Sequence, residues 1–256
     1  MTLQDRVALI TGASRGIGQA IARALAERGA AVAVNYRANE EAARSLVKEI
    51  EESGGRAVAV RADVSDPVEA AELVAETRQR LGGLHILVNN AGVSSDGLIY
   101  DVAPDAWLHV MKVNFGGAFH CTHAVAGHFM AQRDGVIVNI SSIHGEGGWI
   151  GLSGYAASKG ALNAFTRASA VEFARFGVRV NAVLAGVVPT ALISDILDRR
   201  DGGRATQRIV PMRRFADVDE IATVVAFLAS PEASYITGEL VTVDGGVRAQ
   251  LGIGHW

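Results

Sequence analysis

The sequence predicts an α/β fold, a single domain on a doubly wound parallel sheet of about seven strands with helices on both faces. Three features carry that expectation. Short runs rich in Val, Ile and Ala alternate along the whole chain with stretches of helical periodicity, the pattern of parallel strands joined by crossover helices. A glycine-rich turn separates the first run from the first helix. No repeat, long linker or low-complexity tract divides the 256 residues, so 1–256 reads as one unit.

Val7-Ala8-Leu9-Ile10 is the first strand, and it runs into Thr11-Gly12-Ala13-Ser14-Arg15-Gly16-Ile17-Gly18. Ile17, Ala20, Ile21, Ala24 and Leu25 then mark an amphipathic helix that Gly29 stops. Strand, turn and helix together make a phosphate site. Gly12 permits the tight turn, Gly16 lets backbone approach, and the helix N-terminus faces a pyrophosphate. Gly18 completes a G-x-x-x-G-x-G spacing, which differs from the commoner G-x-G-x-x-G. Glycines after a strand also make plain corners; the flanking strand and helix favour the ligand.

Ala31–Val34 is the second strand. Dinucleotide sites specific for NAD place Asp or Glu near its end, on the ribose 2′-hydroxyl. Here Asn35-Tyr36-Arg37 stand there. With no carboxylate to repel it, a 2′-phosphate can lie against Arg37, met by Arg15 from the glycine loop. The alternative is two solvated arginines. NADP(H) is the expected cofactor, with NAD(H) weaker.

Residues 39–53 read as a charged helix ending at Gly54-Gly55, and Ala57–Val60 as the third strand, followed by Asp63-Val64 at the adenine edge. A helix over about 68–81 leads to the fourth strand and its polar turn, Asn89-Asn90-Ala91-Gly92, suited to line a cofactor. A long helix runs from Pro104 to Gln132, and Asn114-Phe115-Gly116-Gly117 predicts a break in it that frees polar groups to hold water.

Val136–Ile140 is the fifth strand, closed by Ser142, and the glycine-rich loop His144-Gly145-Glu146-Gly147-Gly148 returns the chain over the next helix. That helix, 155–176, carries Tyr155 and Lys159 at i,i+4, on one face a turn apart. An ammonium near a phenol favours the phenolate and draws its pKa down from about 10, which equips Tyr155 to exchange a proton with an alcohol or carbonyl oxygen. A Tyr and a Lys so spaced are often mere surface neighbours, but the nucleotide loop upstream favours an active site. His144 either touches substrate or carries its ring in water. The apolar residues of the helix (Leu162, Phe165, Ala168, Val171, Phe173) surround most of its circumference, more than one sheet face covers, and call for a partner helix from another subunit. Gly177 marks its end. Arg179–Val183 is the sixth strand, leading to Gly186-Val187-Val188-Pro189-Thr190; 191–213 reads as a mobile lid, 217–229 as the last helix, and Leu240–Val243 as the last strand.

A net charge of −3 gives no reason to expect nucleic acid or an anionic membrane as partner. A single cysteine, Cys121, suits a reducing compartment, and the first apolar run is too short for a signal peptide or a span, so a cytoplasmic protein is expected. His120, Cys121, His123 and His128 suggest a metal, but no carboxylate or second thiol accompanies them, and no metal site is expected.

Jointly, Thr11–Gly18, Asp63-Val64, Asn89–Gly92, Asn114, Ser142, Tyr155-x-x-x-Lys159 and the segment 186–190 closely resemble the short-chain dehydrogenase/reductase family, from Val7 to Gly246. The resemblance implies a Rossmann-type fold and roles for these residues. Tyr155 is the general acid in reduction, and Lys159 holds the nicotinamide ribose and lowers the Tyr155 pKa. Ser142 binds the substrate oxygen, Asn114 positions a water in the proton relay, and Val188 and Thr190 hold the carboxamide. It also implies a homotetramer. Within the family the likeness is greatest to bacterial 3-oxoacyl-acyl-carrier-protein reductases, through Val225–Ser230 and Tyr235–Glu239. Two departures stand out. Ala185 replaces the usual Pro and is expected to loosen the segment under the nicotinamide. Of two basic carrier-docking positions, Arg133 matches one, while Phe176 occupies the other with Arg175 beside it. The tail 247–256 has no firm counterpart. The leading expectation is an NADPH-dependent reductase of 3-oxoacyl thioesters, free or on acyl carrier protein. An alcohol, sugar or xenobiotic ketone dehydrogenase is the alternative. A non-catalytic nucleotide sensor is a third reading, but it has no use for a complete proton relay.

Overall fold

The computed structural model describes residues 2–190 and 203–250. Seven parallel strands lie in the order β3-β2-β1-β4-β5-β6-β7. They are β1 Val7–Ile10, β2 Ala31–Tyr36, β3 Arg56–Arg61, β4 Ile86–Asn89, β5 Gly135–Ser142, β6 Val178–Ala185 and β7 Leu240–Val243. Because helices cover both faces, the central strands are buried on both sides and read as unbroken apolar runs rather than alternating ones.

One face is sealed by α1 (Gly16–Ala26), α2 (Glu40–Glu52) and α8 (Val218–Ala229), through Ile21, Leu25, Leu46, Ile50, Val225 and Leu228. The other is sealed by α3 (Pro67–Leu81), α5 (Gly117–Gln132) and α6 (Ser153–Ala174), through Leu73, Val74, Cys121, Val125, Phe129 and Ala170. Starts are set locally. Asn39 caps α2, Asp66 caps α3 ahead of Pro67, and Asp217 with Glu220 closes a reciprocal capping box on α8. The chain crosses from β1 back past β2 and β3 to β4 on the other side, so the sheet's switch point lies between the ends of β1 and β4, where open α/β sheets hold ligands.

The expected break near Asn114 is instead a π-helical turn, Lys112–Gly116, continuous with α4 (Pro104–Met111) before it and α5 after it. The helix widens by one residue rather than stopping. Ala185, at the position expected to loosen the segment after it, is buried within β6 and pairs with Val243, and the next amide, Gly186, donates to the Val243 carbonyl at 2.9 Å. Gly177 takes the left-handed conformation (φ 74°), two residues past the Arg175 cap. Residues 191–202 of the lid expected at 191–213 lie outside the described residues; the rest contains a short helix, α7 (Arg204–Ile209). Of the tail, only a single turn at Val247–Ala249 and Gln250 are described. Among the described residues no helix is long and apolar enough to cross a membrane.

Candidate active site

The turn after β1 is held open from beneath by polar residues at strand ends. Gly12 and Gly16 have φ near 60°, a conformation in which only glycine is free of strain. A Cβ on Gly12 would lie 2.9 Å from the Ala91 backbone, and one on Gly18 would overlap Asn90 Nδ2 and lie 2.7 Å from the Gly12 carbonyl. The loop is thus pressed onto the turn after β4. Asn90 Nδ2 donates to the Thr11 and Gly12 carbonyls at 2.9 and 3.0 Å, while the amides of Asn90 and Ala91 both donate to Thr11 Oγ1. α1 then starts after Arg15 with no side-chain cap and no acidic residue in its first turn, unlike α2, α3 and α8. Its leading amides face the crevice together with the positive end of the helix dipole, which makes a receptor for an anion.

At the end of β2, Asn35 points inward. Its Oδ1 accepts from Gly12 N at 3.0 Å and its Nδ2 donates to the Val60 and Ala62 carbonyls, so it braces the glycine loop. Tyr36 is buried, and Arg37 reaches outward to Asp63 at 3.7 Å. Burial alone would raise the Asp63 carboxyl, but hydrogen bonds from Ser65, then Arg37 and Lys112, bring it net below its ordinary value. The loose, half-exposed Arg37 pair is worth at most about 1 kcal/mol. Val64 is buried, with its carbonyl 3.1 Å from His120 Nδ1.

The catalytic candidates meet where β5 ends. Beneath them runs a buried polar chain. Asn89 donates to Asn139 at 2.8 Å, and Asn139 donates to Thr166 of α6 at 2.8 Å. Ser141 donates to Asn163 Oδ1 at 2.6 Å, which locks α6 to β5 in register. Above it, the Tyr155 hydroxyl lies close enough to Ser142 for the serine to ease its ionisation. Lys159 Nζ lies 5.6 Å from the Tyr155 ring centroid and donates to the Ile140 carbonyl at 2.8 Å. The expected fall of the Tyr155 pKa is not found. Burial pushes it up, and Ser142 offsets only part of the rise. The reason is geometric: the ammonium is turned onto the strand carbonyl, and its own burial pushes it down to about 8. Asn114, in the π-turn, is also spoken for. Its Oδ1 accepts from Val93 N, and its Nδ2 donates to the Val93 carbonyl and to Ser158 Oγ, which ties the β4 loop to the catalytic helix.

His144 is half-buried between two aromatic rings. Its ring lies edge-on to Tyr155 at 6.4 Å and tilted against Trp149 at 5.7 Å, and burial pushes its pKa down. The turn carrying it is seated on α6, since a Cβ on Gly145 would lie 2.8 Å from the Lys159 backbone. Glu146 next to it is paired with Arg248, and with Arg167 at 3.7 Å. After β6, Val188 is buried, and Thr190 Cγ2 would lie 3.3 Å from a Cβ on Gly16, so the β6 segment touches the glycine loop across the crevice. Gly92 faces Asn114 Oδ1. Ser14 and Ile17 sit half-buried in the loop, and Arg15 is exposed beside it.

Sequence reasoning overlooked Thr11, Asn35, Asn139 and Asn163 as builders of this site. Their signal was a polar side chain inside an apolar strand or beside the catalytic lysine. His120 and His128 each bond a backbone carbonyl, His123 stacks on Phe119, and Cys121 is buried with its thiol pushed up to about 12. On the outer faces of α5 and α6, Phe119 and Val171 are left exposed, and Phe119 packs against Phe165, itself edge-on to Phe115.

The family model described as Enoyl-(Acyl carrier protein) reductase matches residues 12–248. The 3-oxoacyl-[acyl-carrier-protein] reductase FabG of Staphylococcus aureus is 39% identical over 240 residues, which cover 94% of this chain and 97% of the relative. The 3beta-hydroxysteroid dehydrogenase 1 of Eggerthella lenta is 37% identical over 251 residues, covering 98% and 96%. Among solved structures, a gluconate 5-dehydrogenase from Burkholderia cenocepacia, in complex with NADP and tartrate, superposes with a TM-score of 0.93 at 35% identity over 98% of each chain.

Proposed function

The chain belongs to the short-chain dehydrogenase/reductase family of oxidoreductases, and from that premise we propose that it reduces a ketone to a secondary alcohol with NADPH, the ketone being a 3-oxoacyl thioester. The carrying observation is that Ser142, the Tyr155 phenol and the Lys159 ammonium meet at the same sheet edge as the uncapped α1 N-terminus.

The residues present suit a dinucleotide. Gly12, Ser14, Arg15, Gly16, Ile17 and Gly18 form a cradle that a Cβ at Gly12 or Gly18 would fill, and its amides suit the pyrophosphate. Asp63 and Val64 would border the adenine end, Asn90, Ala91 and Gly92 would line the floor, and Gly186, Val188 and Thr190 would close the nicotinamide end. Bound there, NADPH would supply a hydride to the carbonyl carbon. Ser142 orients the carbonyl oxygen and Tyr155 gives it the proton. A buried phenol with a raised pKa holds that proton firmly until negative charge grows on the oxygen. Lys159, with an amine near 8, holds the ribose hydroxyls and replenishes the phenol. Because the Asn114 side chain is fully bonded, its part in a water relay falls to its main-chain carbonyl.

Tyr36 and Arg37 would stand beside the adenine ribose. With Asn35 turned away and Arg37 only loosely paired, the preference for NADP(H) follows from a missing carboxylate and an available guanidinium. Wild-type protein should bind NADPH far more tightly than NADH, and Arg37→Asp should narrow or reverse the gap; equal wild-type affinities refute this. Acetoacetyl thioesters assayed against a panel of ketones test the substrate, and absence of thioester turnover removes it. The likeness to gluconate 5-dehydrogenase favours, in that event, an NADP(H)-linked alcohol or sugar dehydrogenase. Docking of an acidic carrier protein finds support in Arg133, whose guanidinium bonds the Arg175 carbonyl and sets two basic residues on one corner. The apolar outer faces of α5 and α6 support assembly with further copies into a tetramer.

A further inference from the structure

Beside Tyr155 stands a wall that the proton chemistry does not use. It begins with His144, edge-on to Tyr155, and continues to Trp149, on which His144 leans. From there two loops are joined. The Gly97 amide donates to the Gly151 carbonyl at 2.9 Å, so the loop after β4 is fastened to the loop after β5. The joint is anchored below by Trp107, which donates to Ser153 Oγ at 3.2 Å and packs against Gly154. On this edge the chain exposes Ile99 by 76%, Tyr100 by 79%, Trp149 by 49% and Ile150 by 85%. Bulky apolar side chains gathered on a firmly tied edge next to a reactive phenol mark a binding surface.

The charges on the two loops narrow what it binds. Neither 94–100 nor 143–153 contains Lys or Arg, and their only acids are Asp96, bonded to Ser94, and Glu146, paired with Arg248 and Arg167. An anionic acid would meet no cation on these two loops. A polyol would leave its hydroxyls against rings and methyl groups, which cannot replace its water. The His144 imidazole, whose charged form burial disfavours, presents its ring to the wall.

We propose that this edge is the specificity wall of the site and receives an extended apolar substituent of the ketone, as in a medium-length acyl chain, and not a polyol or a short anionic acid. The inference rests on the ketone-reductase reading above and names its substrate class.

The test is a calorimetric titration of the whole protein with two N-acetylcysteamine thioesters, acetoacetyl and 3-oxodecanoyl, with turnover of each measured alongside. Methylenes laid on an open wall gain about half of full burial, roughly twofold in affinity each, so the longer thioester should bind roughly fiftyfold more tightly. Trp149→Ser should cost the long thioester roughly tenfold more than the short one. Ile150→Ser, at a side chain already in water, should do the same to a lesser degree with no loss of folded protein. Equal affinities for both thioesters, or losses equal for both in the variants, overturn the proposal. So does a change in sedimenting mass with no change in relative affinity, which would make the edge a contact between subunits. If neither thioester is turned over, the reductase reading falls, and the binding series still decides the wall.

Discussion

Replacing Lys159 with Met should abolish turnover while raising stability relative to wild type near neutral pH. The amine is buried, and its pKa is lowered from 10.5 to about 8. A difference of ~2.5 units corresponds to ~3 kcal/mol. The sign follows from where the proton sits. Below pH ~8 the folded chain carries a buried charge that the unfolded chain carries in water, so folding bears the whole penalty. Between pH ~8 and ~10.5 the unfolded chain holds the proton and the folded chain does not, so this group makes wild-type stability climb with pH. Met keeps the length of the side chain and removes the charge, but leaves the Ile140 carbonyl without its 2.8 Å donor, at a cost of ~1–3 kcal/mol. Near pH 7 the variant should therefore be up to ~2 kcal/mol more stable. By pH ~10.5 that advantage should have shrunk by ~3 kcal/mol and changed sign. Cys121, raised to about 12 by burial, titrates in both proteins and cancels in the difference. Urea unfolding followed by circular dichroism, at one protein concentration across this pH range, measures the gap. A gap that stays constant or widens in favour of the variant would show that the amine does not bear this burial penalty, and the argument would fail.

Two further outcomes are expected. Gly18→Ala would force a methyl into Asn90 Nδ2 and to within 2.7 Å of the Gly12 carbonyl, at ~1–3 kcal/mol of stability and with loss of nucleotide affinity; unaltered NADPH binding would contradict the cradle. Cys121 should resist thiol reagents in the native protein and react only as fast as the chain opens in urea; prompt labelling without denaturant would contradict its burial.

How much of this was legible follows from what each signal encodes. Strand positions were readable because a sheet covered on both faces demands continuous apolar runs. Their ends were not: β2 continues through Asn35 and Tyr36, and β6 through Leu184 and Ala185. A polar residue there looked like a loop, whereas Asn35 is buried with both ends of its amide bonded. Asn114 with its glycines correctly marked an irregularity, but composition does not distinguish a broken helix from a π-turn. The Tyr155–Lys159 spacing gave the shared face and not the direction of the ammonium, which a distant strand carbonyl decides. The choice left open for His144 depended on Trp149, five residues on, and no local pattern encodes that contact.

The pairing of Glu146 with both Arg248 and Arg167 has a bearing on where the pocket ends. Arg248 is further fastened to Thr242 and Asp244, so the carboxyl-terminal strand, the serine-bearing loop and the catalytic helix form one mechanical piece. Arg248 thus stands one ion pair away from the loop after β5 and two from the catalytic helix, so the last turn of the described chain is part of the wall around the pocket rather than an appendage to it.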